Sequence, residues 1–138
     1  MIETLAEAGL MERAAHLAGI LPSRSVIWLE GPLGAGKTTF ARALLAARGA
    51  NLPATSPTFN LAHHHEGPRG AAYHVDCYRL RDAEEAAELD WDGMQQGDLL
   101  LVEWPDRGGA WVPPPSVRVT LGYSTDPDAR TIIVEHSG

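Results

Sequence analysis

The chain has 138 residues, one cysteine and a formal net charge of −7. That length suits one core, and no apolar run reaches the ~18 residues of a membrane span, so residues 1–138 are expected to form a single domain without a membrane contact. Lone Cys77 excludes an internal disulfide and a cysteine-built zinc site, and an acidic chain whose only lysine is Lys37 offers no basic stripe for gripping nucleic-acid phosphates.

The opening Met1-Ile2-Glu3-Thr4 has neither a basic n-region nor an apolar h-region, so a cytoplasmic location is expected. Residues 3–18 place Leu5, Leu10, Ala14, Leu17 and Ala18 at helical spacing, and Gly19 and Pro22 are expected to close that helix. Val26 to Glu30 is apolar and β-branched enough for a short buried strand. Gly31-Pro32-Leu33-Gly34-Ala35-Gly36-Lys37-Thr38 then matches G-x-x-x-x-G-K-[ST], and the Ala/Leu-rich run to Arg48, followed by Gly49, is helical.

Strand, glycine loop and helix in succession are the context of a phosphate-binding P-loop. Glycines let the backbone wrap an anion with its N–H groups turned inward, and the helix N-terminus adds a positive dipole end. The nucleotide-binding candidates are Gly31, Gly34, Ala35, Gly36, Lys37, Thr38 and Thr39. Lys37 would reach the outer phosphates, and the Thr38 hydroxyl would ligate Mg²⁺.

Thr55-Ser56-Pro57-Thr58-Phe59 has two readings: a switch segment in which Thr58 senses the γ-phosphate or metal, or an ordinary surface turn. Residues 58–63 and 71–76 read as strands. Only Glu66 to Gly70 and their neighbours separate them, too little for a parallel crossover, so they form an antiparallel hairpin and the sheet is mixed. His63-His64-His65 abut the loop and read as solvated, because adjacent strand residues face opposite ways and cannot converge on one metal.

Asp82, with Glu85 three residues on, caps a helix. Trp91 to Asp98 reads as loop. Leu99 to Val102 ending in Glu103 has the form of a Walker B strand, which delivers its acid beside the metal and the attacking water. Residues 117–121 and 130–134 read as the last strands.

Among proteins with this loop, a GTPase is disfavoured because the chain lacks an N-K-x-D guanine reader. A small P-loop kinase acting on a small molecule stays open through Arg69, Arg79 and Arg81, and a non-catalytic nucleotide-dependent binding module is a third class. Glu103 favours hydrolysis over the last of these.

Taken together, Glu30 to Phe40, Ser56 to Phe59, His74-Val75-Asp76-Cys77-Tyr78-Arg79-Leu80 and Val102-Glu103-Trp104-Pro105 resemble the bacterial TsaE (YjeE) ATPases over nearly the whole chain. The resemblance implies an ATP- and Mg²⁺-dependent ATPase. It supports threonylcarbamoyladenosine formation beside the tRNA anticodon, and its partners are the TsaB–TsaD pair, with tRNA met only through the complex. It also implies roles. Thr38 and Glu103 attend Mg²⁺, and Glu103 orients or activates water. Asp76 lies near the metal, Thr58 belongs to the switch, Thr4 contacts the base region, and Trp104 shapes the site by packing. Glu103, Asp76 and Thr58 are therefore the candidate catalytic set. Pro32, in place of a small polar residue, and Asp90, in place of glycine, depart from the family pattern.

Overall fold

The computed structural model describes residues 2–51, 56–58 and 61–137. Its central strands are the most apolar segments of the chain. Strand β6 (Leu99–Glu103) is buried at every position. Alternation splits it between two cores: Leu99 and Leu101 face one, Leu100 and Val102 the other. A continuous apolar run is what a strand covered on both faces requires.

Around it, β2 (Ser25–Glu30), β5 (Ala72–Asp76) and β7 (Val117–Tyr123) complete a parallel centre, in the order β7-β2-β6-β5. Antiparallel strands flank it. β8 (Ala129–His136) and β1 (Ile2–Ala6) lie beyond β7; β4 (Ala62–His65) and β3 (Ser56–Thr58) lie beyond β5. Helices α1 (Glu7–Ile20) and α2 (Lys37–Ala47) cover one face. The other carries short 3-10 turns and α3 (Trp91–Met94), which bury Leu80, Ala86, Leu89, Trp91 and Met94. The expected mixed sheet flanked by helices is the observed fold.

Several boundaries differ from expectation. Residues Ile2–Ala6 are strand, not helix: they pair residue by residue with β8, Ile2 opposite Ile133 and Ala6 opposite Ala129. The sheet edge supplies hydrogen bonds that outweigh helix propensity there. Leu5, expected on the helix face, packs from β1 against the same core as Leu17. Gly19 lies inside α1, and the Leu21 N–H closes the helix by donating to Leu17 O at 3.1 Å.

The hairpin is antiparallel as expected, but its first strand is β4, and Ser56–Thr58 forms a separate edge strand. The histidines therefore stand in β4 rather than in a solvated loop. His63 lies opposite His74 and His65 opposite Ala72, while His64 faces the other way and stacks on Tyr73, ring centroids 5.0 Å apart. The Asp82 cap is present, its carboxylate accepting from the Glu85 N–H, but the turn it opens over Ala83–Glu88 is 3-10. The expected loop 91–98 opens instead with helix α3, which Asp90, just before it, caps by accepting from the Gly93 N–H.

A buried ion pair locks the far end of the sheet. Arg48, just past α2, bonds Asp98 through Nε and Nη2, both at 2.9 Å, and Ser23 Oγ donates to the same carboxylate. Arg48 Nη1 also donates to Leu21 O at 2.6 Å, tying the end of α1 to the start of β6.

Candidate functional site at the glycine loop

The loop between β2 and α2 has the backbone its glycines permit. Gly31, Gly34 and Gly36 all take positive φ, and left-handed Gly36 is the N-cap of α2. At Gly31 a Cβ would stand 2.1 Å from the Leu121 carbonyl oxygen, so only glycine lets β2 leave the sheet this close to β7. The crown of the loop is held from the sheet end, where the Tyr123 hydroxyl donates to Leu33 O. Ala35 is fully buried, and its N–H donates to Pro32 O at 3.2 Å.

Lys37 Nζ donates to Gly31 O at 2.7 Å and Pro32 O at 2.8 Å, and lies 4.5 Å from the centroid of a Trp104 ring. Burial pushes its ammonium below the usual lysine range, against the opposing pull of the Glu103 and Asp76 carboxylates. Trp104 is one of two non-glycine residues with positive φ among the described residues, the other being Arg24. The following Pro105 disfavours the right-handed helical region for Trp104.

Opposite the loop, β5 and β6 run parallel with Asp76 in register with Glu103. Side-chain alternation turns Glu103 to the α2 face, as it does Leu99 and Leu101. There the Thr38 hydroxyl donates to Glu103 Oε2 at 3.0 Å and Oε1 at 3.2 Å. His74 Nε2 lies 2.6 Å from Glu103 Oε2, and both side chains are buried. Asp76 accepts from the Tyr78 N–H, which fixes the turn that leaves β5.

A cavity of about 310 Å³ is lined by Gly34, Gly36, Lys37, Thr38, Thr39, Asp76, Tyr78, Glu103 and Trp104. A second, of about 370 Å³, shares Gly34, Gly36 and Thr39 and extends to Glu7, Leu10 and Met11 of α1 and to Asp128 and Arg130. The fold thus gathers the loop residues, Asp76 and Glu103 at one place. Hydroxyl and carboxylate oxygens around Thr38 are the hard donors Mg²⁺ takes, and positive-φ glycines before a helix N-terminus fit a polyphosphate.

Two expected residues stand apart. Thr4 lies in β1 opposite Thr131 and lines neither cavity. Thr58 pairs with Ala62 in edge strand β3, three strand spacings from β6, about 14 Å at ~4.8 Å per strand. The side chains of Ser56–Thr58, with Thr55 and Phe59, lie outside the described residues. Arg69, Arg79 and Arg81 line neither cavity, and Arg81 is paired with Glu85.

Neither His74 nor Glu7, Leu10 and Met11 of α1 stands among the candidate site residues that the sequence marks. Two-residue spacing from Asp76 on a strand was the available signal for His74; nothing local marks the α1 residues.

Strand, left-handed glycine loop and helix, with an acid-ended central strand beside the loop hydroxyl, define the architecture of the P-loop class. The model of the family "Threonylcarbamoyl adenosine biosynthesis protein TsaE" matches residues 5–132. The chain is 37% identical over 114 residues to the tRNA threonylcarbamoyladenosine biosynthesis protein TsaE of Rickettsia bellii, covering 82% of this chain and 79% of that one. Against the protein of the same name from Aquifex aeolicus it is 38% identical over 96 residues, 68% of each chain. For that of Rickettsia conorii the identity is 38% over 109 residues, 78% of this chain but 62% of the relative's length. The crystal structure of Bacillus subtilus YdiB superimposes with a TM-score of 0.73 at 26% identity, covering 100% of this chain and 88% of that one. The chain belongs to the TsaE family.

Proposed function

We propose that this protein binds ATP with Mg²⁺ at the glycine loop and hydrolyses it in support of threonylcarbamoyladenosine formation on tRNA. The observation that carries the reading is the contact of the Thr38 hydroxyl with the Glu103 carboxylate, with Asp76 in register beside it. P-loop NTPases hold their metal between such a hydroxyl and such an acid.

The chain's residues divide the work. Backbone N–H groups of Gly34 to Thr38 bind phosphate oxygens, and Lys37 turns from the Gly31 and Pro32 carbonyls to the outer phosphates. Bound Mg²⁺ supplies neutralisation of charge on the transferring phosphoryl group. Glu103 orients the attacking water through a hydrogen bond and receives its proton. The cavity between α1 and Arg130 takes the base and ribose, with Leu10 and Met11 offering apolar contact. Trp104 packs against Lys37 and limits water access.

The partners in this reading are the TsaB–TsaD pair, and tRNA is engaged only through that complex in the cytoplasm. A net charge of −7 suits a subunit that leaves RNA contacts to others. Among the described residues no helix is long and apolar enough to cross a membrane.

The test is ATP turnover by the isolated protein, then with the TsaB–TsaD pair, then with tRNA and the activated threonylcarbamoyl donor. Slow turnover alone, stimulation by the pair and repeated cycles of tRNA modification support the reading. Absence of stimulation, together with phosphate transfer to a small acceptor, would contradict it.

A further inference from the structure

We infer that His74 is a positioning residue for Glu103: its Nε2–H donates to Oε2 and holds the carboxylate in the rotamer that leaves Oε1 directed at its reaction partner. The inference rests on the proposed ATPase reading for its kinetic consequence, but its geometry stands in the chain alone.

Three observations converge on it. First, His74 sits opposite Leu101 in β6, two pairs before Asp76 and Glu103, so alternation puts His74, Asp76 and Glu103 on the same face of the sheet. Second, the 2.6 Å contact lies between side chains only 10% and 4% exposed. A buried carboxylate needs donors, because one left unpaired carries its full desolvation cost. Third, the two donors are unevenly placed. His74 and Thr38 both engage Oε2, at 2.6 and 3.0 Å, while Oε1 has the longer 3.2 Å contact from Thr38.

Thr38 alone leaves the carboxylate with a single, shared donor. In the proposed function the Thr38 hydroxyl oxygen would ligate the metal through a lone pair, and His74 would supply the second donor, to Oε2. A glutamate has several rotatable bonds, and without that donor Glu103 is free to swing toward the Lys37 ammonium. His74 touches neither nucleotide nor water in this scheme and acts only through Glu103.

Three variants at His74 separate positioning from packing. A Gln side chain places an amide N–H near the position of Nε2; an Asn amide reaches only as far as Nδ1. In ligand-free crystal structures, His74→Gln should keep Glu103 against Thr38, whereas His74→Leu and His74→Asn should release it to another rotamer. An unmoved Glu103 in both would overturn the inference whether or not the protein hydrolyses ATP.

In turnover assays, with melting curves as the folding control, His74→Leu should lower kcat by about 10- to 100-fold, the range for lost partners of ligating groups, with KM for ATP nearly unchanged. His74→Gln should recover most of it. The double variant His74→Leu/Glu103→Gln should be no slower than Glu103→Gln alone, since residues that act through one another are not additive. A His74→Leu enzyme at wild-type kcat, or losses that multiply in the double variant, would defeat the positioning role. If His74→Leu fails to fold, His74→Asn carries the same comparison. Wild-type protein that releases no phosphate would count against the ATPase reading and leave the crystallographic result to decide His74.

Discussion

Thr38 on α2 and Glu103 on β6 are 65 residues apart in sequence and joined by a hydrogen bond of 3.0 Å. The contact makes metal affinity and loop geometry interdependent. Thr38→Ala should weaken ATP binding in Mg²⁺ while leaving Mg²⁺-free binding nearly unchanged, because only the metal-linked contact is lost. Calorimetry with and without Mg²⁺ reads the difference. Equal losses under both conditions would remove Thr38 from the metal site.

Lys37→Ala removes the loop's one mobile charge. Hydrogen bonds to charged groups contribute about 1.5–3 kcal/mol, so ATP affinity should fall by about 10- to 100-fold. Melting temperature should change little or rise, since burial depresses the Lys37 ammonium and its removal relieves a desolvated charge. Titration calorimetry and thermal melts on one sample test both.

Much of this site is legible in the sequence because it is local. The glycine loop is a backbone motif, and its strand and helix adjoin it in the chain. Glu103 is readable because an uninterrupted apolar run ends in it. His74 is not readable in the same way, since its contact depends on the register of β5 against β6 across 29 residues. Nor is β1, where the helical pattern of α1 runs back through Leu5 and the pairing partner is β8 at the other end of the chain. The 3-10 pitch after Asp82 is equally hidden: the cap chemistry is the same for either helix.

The Arg48–Asp98 pair sets a pH dependence of stability. Burial raises the Asp98 pKa, but hydrogen bonds from Arg48 and Ser23 and the Arg48 charge outweigh it and hold the carboxyl below its ordinary value. A depressed pKa stabilises the fold above the unfolded value of about 3.9, and that contribution is lost as pH falls through the folded value. Urea midpoints should therefore drop with acidification below about pH 4, and less steeply in Asp98→Asn. Arg48→Met, which strands a buried carboxylate, should cost about 3–5 kcal/mol, and the double change Arg48→Met/Asp98→Leu less than that. A double variant as unstable as Arg48→Met would contradict the pairing argument.

Cys77 is buried directly after Asp76, and burial, reinforced by the Asp76 and Asp106 charges, pushes its thiol up to about 12. The thiolate is the reactive form, so the native protein should resist a thiol-specific reagent at neutral pH and react fully once unfolded. Rapid labelling of the native protein would show that the turn after β5 opens.

The most direct test of the account compares wild type and Glu103→Gln for ATP affinity and phosphate release under saturating Mg²⁺–ATP. The account predicts that Glu103→Gln folds and binds nucleotide almost as tightly, while phosphate release slows by about 100-fold or more, as for loss of a positioned general base. Phosphate release at the wild-type rate would show that Glu103 is structural and would transfer the water-orienting role to Asp76.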